Sequence, residues 1–154
     1  MIGKLKKLLV ETLGEDDGQG GGHDLRLATA ALLLEMARAG DDETPEERRE
    51  AETMLARHFA IERDAAEGLL ARAADSLEHS VSLFEFTRVL NATLSAAERR
   101  KVVEMVAEVA ASDGHFDKHE QHLLSKLADL LHLRRAEYAS IRANALQRGG
   151  VAPR

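Results

Sequence analysis

The residues best suited to chemistry lie together in one short segment, Asp113-Gly114-His115-Phe116-Asp117-Lys118-His119-Glu120, set between two runs of helix-forming residues. Asp113, Asp117 and Glu120 put three carboxylates on it, and Gly114 permits the sharp reversal that turns Asp113 back toward Asp117. Hard divalent cations take several oxygen ligands from short loops, so calcium or magnesium suits this set, completed by water or carbonyl oxygens. The segment is not an EF-hand. Counted from Asp113, Lys118 stands where that loop needs glycine and Leu124 where it needs a bidentate glutamate. Glu108, about one turn earlier on an otherwise apolar face, adds a carboxylate whose poor solvation calls for a metal ion or an arginine.

The same acids have a second reading that needs no ion. Asp117 is a good N-cap and Glu120 sits at N3 of the helix that follows, where both meet the positive end of the helix dipole. Histidines gather here too: His115, His119, His122 and His132, with His119 and His122 spaced to share a helix face. Zinc or nickel could use them with Asp113 or Asp117, while solvated helix positions account for them equally simply. Zinc ranks below calcium and magnesium because nothing else in the sequence imposes tetrahedral geometry.

The acidic turn has an earlier counterpart. Glu35-Met36-Ala37-Arg38-Ala39-Gly40-Asp41-Asp42-Glu43-Thr44-Pro45-Glu46-Glu47 is echoed 73 positions later by Glu108 to Glu120. Each copy joins an apolar helical run, an acidic turn and a helix opened by an acid, which points to a duplicated helix-turn-helix unit. The first copy's turn lacks the Asp-Gly pair and carries Thr44 where the second has Asp117, so it reads as a weaker copy.

Catalysis finds little support. The sequence has no Gly-x-Ser-x-Gly elbow, no phosphate-cradling glycine loop leading to a lysine, no cysteine and no His-Glu-x-x-His motif. The expectation is a protein that is not an enzyme. A net charge of −6 disfavours binding along phosphate backbones, and one Tyr, four Phe and no Trp give single-stranded bases little to stack on. Nucleic acid is therefore not an expected partner. Apolar stretches such as Leu27 to Met36 fall short of the ~20 residues a membrane-spanning helix needs. The absence of cysteine fits a reducing compartment.

The elements that must position these residues are helices. Ala, Leu, Glu and Arg dominate, and proline occurs only at Pro45 and Pro153. Residues 1–13 read as an amphipathic helix, with Ile2, Leu5, Leu9 and Leu13 on one stripe and Lys4, Lys6 and Lys7 elsewhere, able to pack on the body or lie on an anionic membrane surface. Residues 14–23 form a Gly- and acid-rich linker, 24–147 a single all-α bundle of about seven helices, and 148–154 a disordered tail.

Within the bundle, Leu25, Ala28, Leu32, Leu33 and Met36 predict a central helix over 24–39. Thr44-Pro45-Glu46-Glu47 opens the next as a capping box, with Met54, Leu55 and Phe59 inward. Ala65, Ala66, Leu69, Leu70 and Ala73 face inward on a third helix over 62–77. A short helix over 82–91 places Phe84, Phe86 and Leu90 in the core and Thr87, Arg88 and Asn91 on a polar face open to a partner. Ser95 and Glu98 form another capping box, opening a helix to Ser112. The helix after Asp117 buries Leu124, Leu127 and Leu131, and the last spans 135–146.

Several of these segments together resemble the TerB-like, tellurite-resistance-associated proteins. They are Glu108-Val109-Ala110-Ala111-Ser112, the turn Asp113-Gly114-His115-Phe116-Asp117, Glu120 at the head of a Leu-rich helix, and Leu83-Phe84-Glu85-Phe86-Thr87-Arg88-Val89-Leu90-Asn91. The likeness runs from about Asp24 to Leu146. It implies a helical bundle of two related halves, a bacterial cytoplasmic setting, a link to stress or tellurite resistance, a protein partner, and a divalent metal at the acidic turn. The ligands implied are Asp113, Asp117 and Glu120 with Glu108 beside them, and Asp41 or Asp42 with Glu47 in the first half. A purely structural or protein-interaction bundle without metal is the alternative.

Overall fold

A computed structural model describes residues 21–39, 45–80, 82–112 and 114–148. Seven α-helices make up the described chain: α1 (Gly21–Ala37), α2 (Pro45–Phe59), α3 (Arg63–His79), α4 (Phe84–Thr93), α5 (Ala96–Ala111), α6 (Lys118–Leu130) and α7 (Arg135–Arg148). The expected helix and linker over residues 1–20, Asp41, Asp42, Thr44, Asp113 and the tail beyond residue 148 lie outside the described residues.

The order of helices follows from how far round each is apolar. In α1 the unbroken run Ala28 to Leu34 is buried, Thr29 included, and only a helix surrounded by others can bury every face. The Thr29 hydroxyl donates back to the Leu25 carbonyl at 2.9 Å, so its burial leaves no unmet donor. Helices α2, α3, α4 and α5 all pack on α1, while α6 and α7 pack on α5. Helix α5 is the second inner helix, burying Val102, Val103, Met105, Val106, Ala107, Val109, Ala110 and Ala111. The 73-residue offset reappears in helix starts, with α2 opening at Pro45 and α6 at Lys118.

Local chemistry sets the ends. Ser95 accepts from the Glu98 N–H at 3.1 Å and Glu98 accepts from the Ser95 N–H at 2.8 Å, the reciprocal capping box expected there. Helix α1 begins at Gly21, inside the expected linker, because a helix with so heavily buried a body can carry its first turn out through weak helix formers. Ala60 and His132 follow α2 and α6 with φ of 54° and 66°, the left-handed step that ends a helix.

Four side-chain placements differ from expectation. Phe84 is 54% exposed although Phe86 is buried. Residues two apart lie about 200° apart on a helix of 3.6 residues per turn, so both cannot face the core. The phase of α4 buries Phe86, Thr87 and Leu90. Thr87 and Asn91 thus turn inward instead of forming an open polar face: the Thr87 hydroxyl donates to Phe84 O at 3.3 Å, and Asn91 Nδ2 donates to Leu130 O at 2.9 Å. Ala65 is exposed because Ala66, Leu69, Leu70 and Ala73 already fill the inward stripe of α3.

Candidate functional site

The acidic turn is built from three local devices. Gly114 adopts φ 84°, a conformation that favours glycine, and its N–H donates to Ala111 O at 3.1 Å, closing the end of α5. Phe116, 5% exposed, drives the turn into the core and brings the chain back for a new helix. Asp117 then caps α6 from an extended backbone, φ −79° and ψ 176°. Its Oδ1 accepts from the Glu120 N–H at 2.8 Å, while Glu120 Oε1 accepts from the Asp117 N–H at 3.0 Å. The capping roles read from Asp117 and Glu120 are therefore both present.

Capping does not explain where the Glu120 carboxyl sits. Most N3 glutamates face water, yet Glu120 is 3% exposed and Glu47, the corresponding N3 residue of α2, is 1% exposed. The two carboxyls are in hydrogen-bonding contact. Burial, and then the contact with Glu47, raise the Glu120 carboxyl from its ordinary 4.5 to about 9, against the lowering effect of the Asp117 N–H. Two neighbouring buried carboxylates repel each other when both are charged, which favours keeping a proton on the pair. The N-termini of α2 and α6 supply partial positive charge from both sides, which lessens but does not cancel the cost of burial.

The other expected ligands lie in different surroundings. Asp117 is exposed and bears on Glu120 both through the cap and through its charge. Glu108 is half-buried and lines a groove between α2 and α5 with Met54, Arg57, His58, Lys101 and Met105. Its charge, after the effect of burial, helps raise the Glu50 carboxyl on α2. His115, His119, His122 and His132 are all exposed. Among the described residues no three His, Asp or Glu side chains stand close enough to hold an ion together.

Two side chains that the sequence reading passed over also bear on the turn. Gln121 Nε2 donates to Phe116 O at 2.8 Å, and Gln121 Oε1 accepts from Arg142 Nη2 at 3.0 Å and Nε at 3.3 Å. Nothing in the spacing of Gln121 and Arg142 marked them, because they belong to different helices. For Glu47 and Glu120 a signal did exist: both occupy N3 of an acid-led helix, 73 positions apart.

A donor set of buried carboxyl oxygens fits a hard cation such as calcium or magnesium better than zinc, whose softer imidazole donors point to solvent here. A cation in place of the shared proton would neutralise a charge that the protein interior solvates poorly.

Among the described residues no helix is long and apolar enough to cross a membrane. A family model described as tellurite resistance protein TerB matches residues 26–143. No curated protein and no solved structure matches the chain. With that match spanning most of α1 through most of α7, the chain belongs to the tellurite resistance protein TerB family.

Proposed function

We propose that this chain is a non-enzymatic TerB module that holds a divalent cation, calcium or magnesium, between the first turns of α2 and α6 and presents the ion-set surface to a protein partner. The observation that carries the reading is the buried contact of Glu47 with Glu120, two acids placed where water cannot solvate them. Glu47 and Glu120 would hold the ion, with Asp117 at the exposed rim; Asp113, Asp41 and Asp42 stay candidates from their places in the sequence alone. Glu108, which lines the groove between α2 and α5, would act on the site only through its charge. The family's description supports a role linked to tellurite resistance, and the proposal adds a bacterial stress setting in the cytoplasm.

The experiment is calorimetric titration of the metal-stripped protein with calcium and magnesium chloride, beside Glu47→Gln and Glu120→Gln. Saturable heat for one ion, lost in both variants, supports the reading; no heat from any ion removes it.

One observation favours a second reading. The complete capping box at Asp117 and Glu120 gives both acids a structural role, so a purely structural bundle that shares a proton between Glu47 and Glu120 accounts for the fold. It differs in being indifferent to added ions.

A further inference from the structure

The carbonyl of Phe116 immediately precedes the Asp117 cap, and its direction sets how the chain enters α6. Gln121 holds that carbonyl at 2.8 Å, and Arg142 on α7 decides which way the Gln121 amide faces. With both guanidinium bonds ending on Oε1, the amide nitrogen is left to donate to Phe116; a reversed amide would set N–H groups against N–H groups. The Tyr138 hydroxyl, one turn earlier on α7, donates to the Gln121 carbonyl at 3.4 Å. A chain of polar contacts therefore runs from α7 through Gln121 to the residue that leads into the Asp117–Glu120 cap, and so to the Glu120 carboxyl.

We propose that Gln121 and Arg142 are positioning residues for the acidic turn, through which the seat of α7 sets the ion affinity of the Glu47 and Glu120 pair. The proposal rests on the cation reading above. Residues behind metal ligands orient them, and their loss typically weakens binding by ~10-fold to 100-fold. Gln121 and Arg142 are only half-buried and lie at the edge of the core, so changing them should alter the turn without dismantling the bundle.

The test uses Gln121→Met, Arg142→Met and Arg142→Lys in the full chain, with two readouts. In the metal-free protein, hydrogen exchange at the Asp117 and Glu120 amides should quicken about tenfold in both Met variants while amides in the middle of α1 keep their rates. In calorimetric titration with calcium and magnesium chloride, the Met variants should lose about tenfold in affinity, and Arg142→Lys, which keeps one donor for Gln121 Oε1, should recover most of it. Unchanged exchange, or affinity equal to wild type in the Met variants, overturns the positioning role and leaves the ion site standing. Failure of the wild-type protein to bind either ion instead removes the cation reading and this proposal with it. Faster exchange throughout α1 marks a general loss of stability and also contradicts a role confined to the turn.

Discussion

Glu47 and Glu120 occupy the same N3 position of two helices, and their carboxyls meet inside the protein although 73 residues separate them in the chain. A pair of like acids brought together by two helix starts costs stability whenever both are charged. The arrangement asks for a proton or a cation, and the choice between them should be visible in solution.

Stability of the metal-free protein should carry the mark of the shared proton. The Glu120 carboxyl titrates near 4.5 when unfolded and near 9 when folded, so between those values the folded chain holds more protons. Its contribution is fully present below about pH 4.5 and is lost as pH rises toward about 9. Glu120→Gln removes that titration and can still hydrogen-bond to Glu47. The stability of wild type relative to this variant should therefore decline from about pH 5 to pH 9, measured by urea unfolding at matched ionic strength. A difference that stays flat across this range would contradict the shared proton.

The two capping boxes separate helix capping from ion binding. Ser95→Ala and Asp117→Ala each remove a side-chain acceptor from an N3 amide and should each cost about 0.5–2 kcal/mol. Only Asp117→Ala should also change the response to calcium or magnesium, because Ser95 heads a different helix. Equal ion responses in the two variants would confine Asp117 to its capping role.

Asn91 and Arg99 hold the end of α6 to the junction of α4 and α5. Asn91 Nδ2 reaches Leu130 O at 2.9 Å, Arg99 Nε reaches Leu131 O at 3.0 Å, and Arg99 Nη1 reaches Leu94 O at 2.8 Å. Each bond meets a carbonyl that a helix end leaves open. Asn91→Ala should cost about 1–3 kcal/mol, since it strips a partner from a partly buried carbonyl, whereas the exposed Arg88→Ala should stay within about 0.5 kcal/mol. Thermal unfolding of the two variants decides it.

His132 follows α6 in a left-handed conformation, φ 66°, that glycine adopts without strain. His132→Gly should raise stability by about 0.5–1 kcal/mol, and the exposed imidazole takes no metal-binding capacity with it. A loss of zinc affinity in this variant would bring the histidine cluster back as a site.

The helices were legible because their signals are local. Pro45 at the first helical position, the Ser95 and Glu98 box, and the three-and-four spacing of Leu, Val and Ala give starts and buried faces without reference to the rest of the chain. Phase was harder to read where aromatics crowd: Phe84 and Phe86 look equally apolar, and only the packing of α4 on α1 decides which turns inward. Asn91 likewise looked like a surface residue because its partner, the Leu130 carbonyl, lies 39 residues away. In the candidate site, individual acids were visible but the meeting of Glu47 with Glu120 was not, since helix periodicity says nothing about which helix starts face one another. Gln121 and Arg142 illustrate the same limit, being linked only through tertiary contact.

The central claim is that a cation takes the place of the proton between Glu47 and Glu120. The most direct measurement is thermal unfolding of metal-stripped protein at about pH 7 over a calcium and a magnesium titration, with the Glu47→Gln, Glu120→Gln double variant alongside. An ion that binds only the folded state should add about 2.7 kcal/mol at a hundredfold excess over its dissociation constant, and the double variant should show no rise. An unchanged midpoint in wild-type protein, or an equal rise in the double variant, would contradict the account.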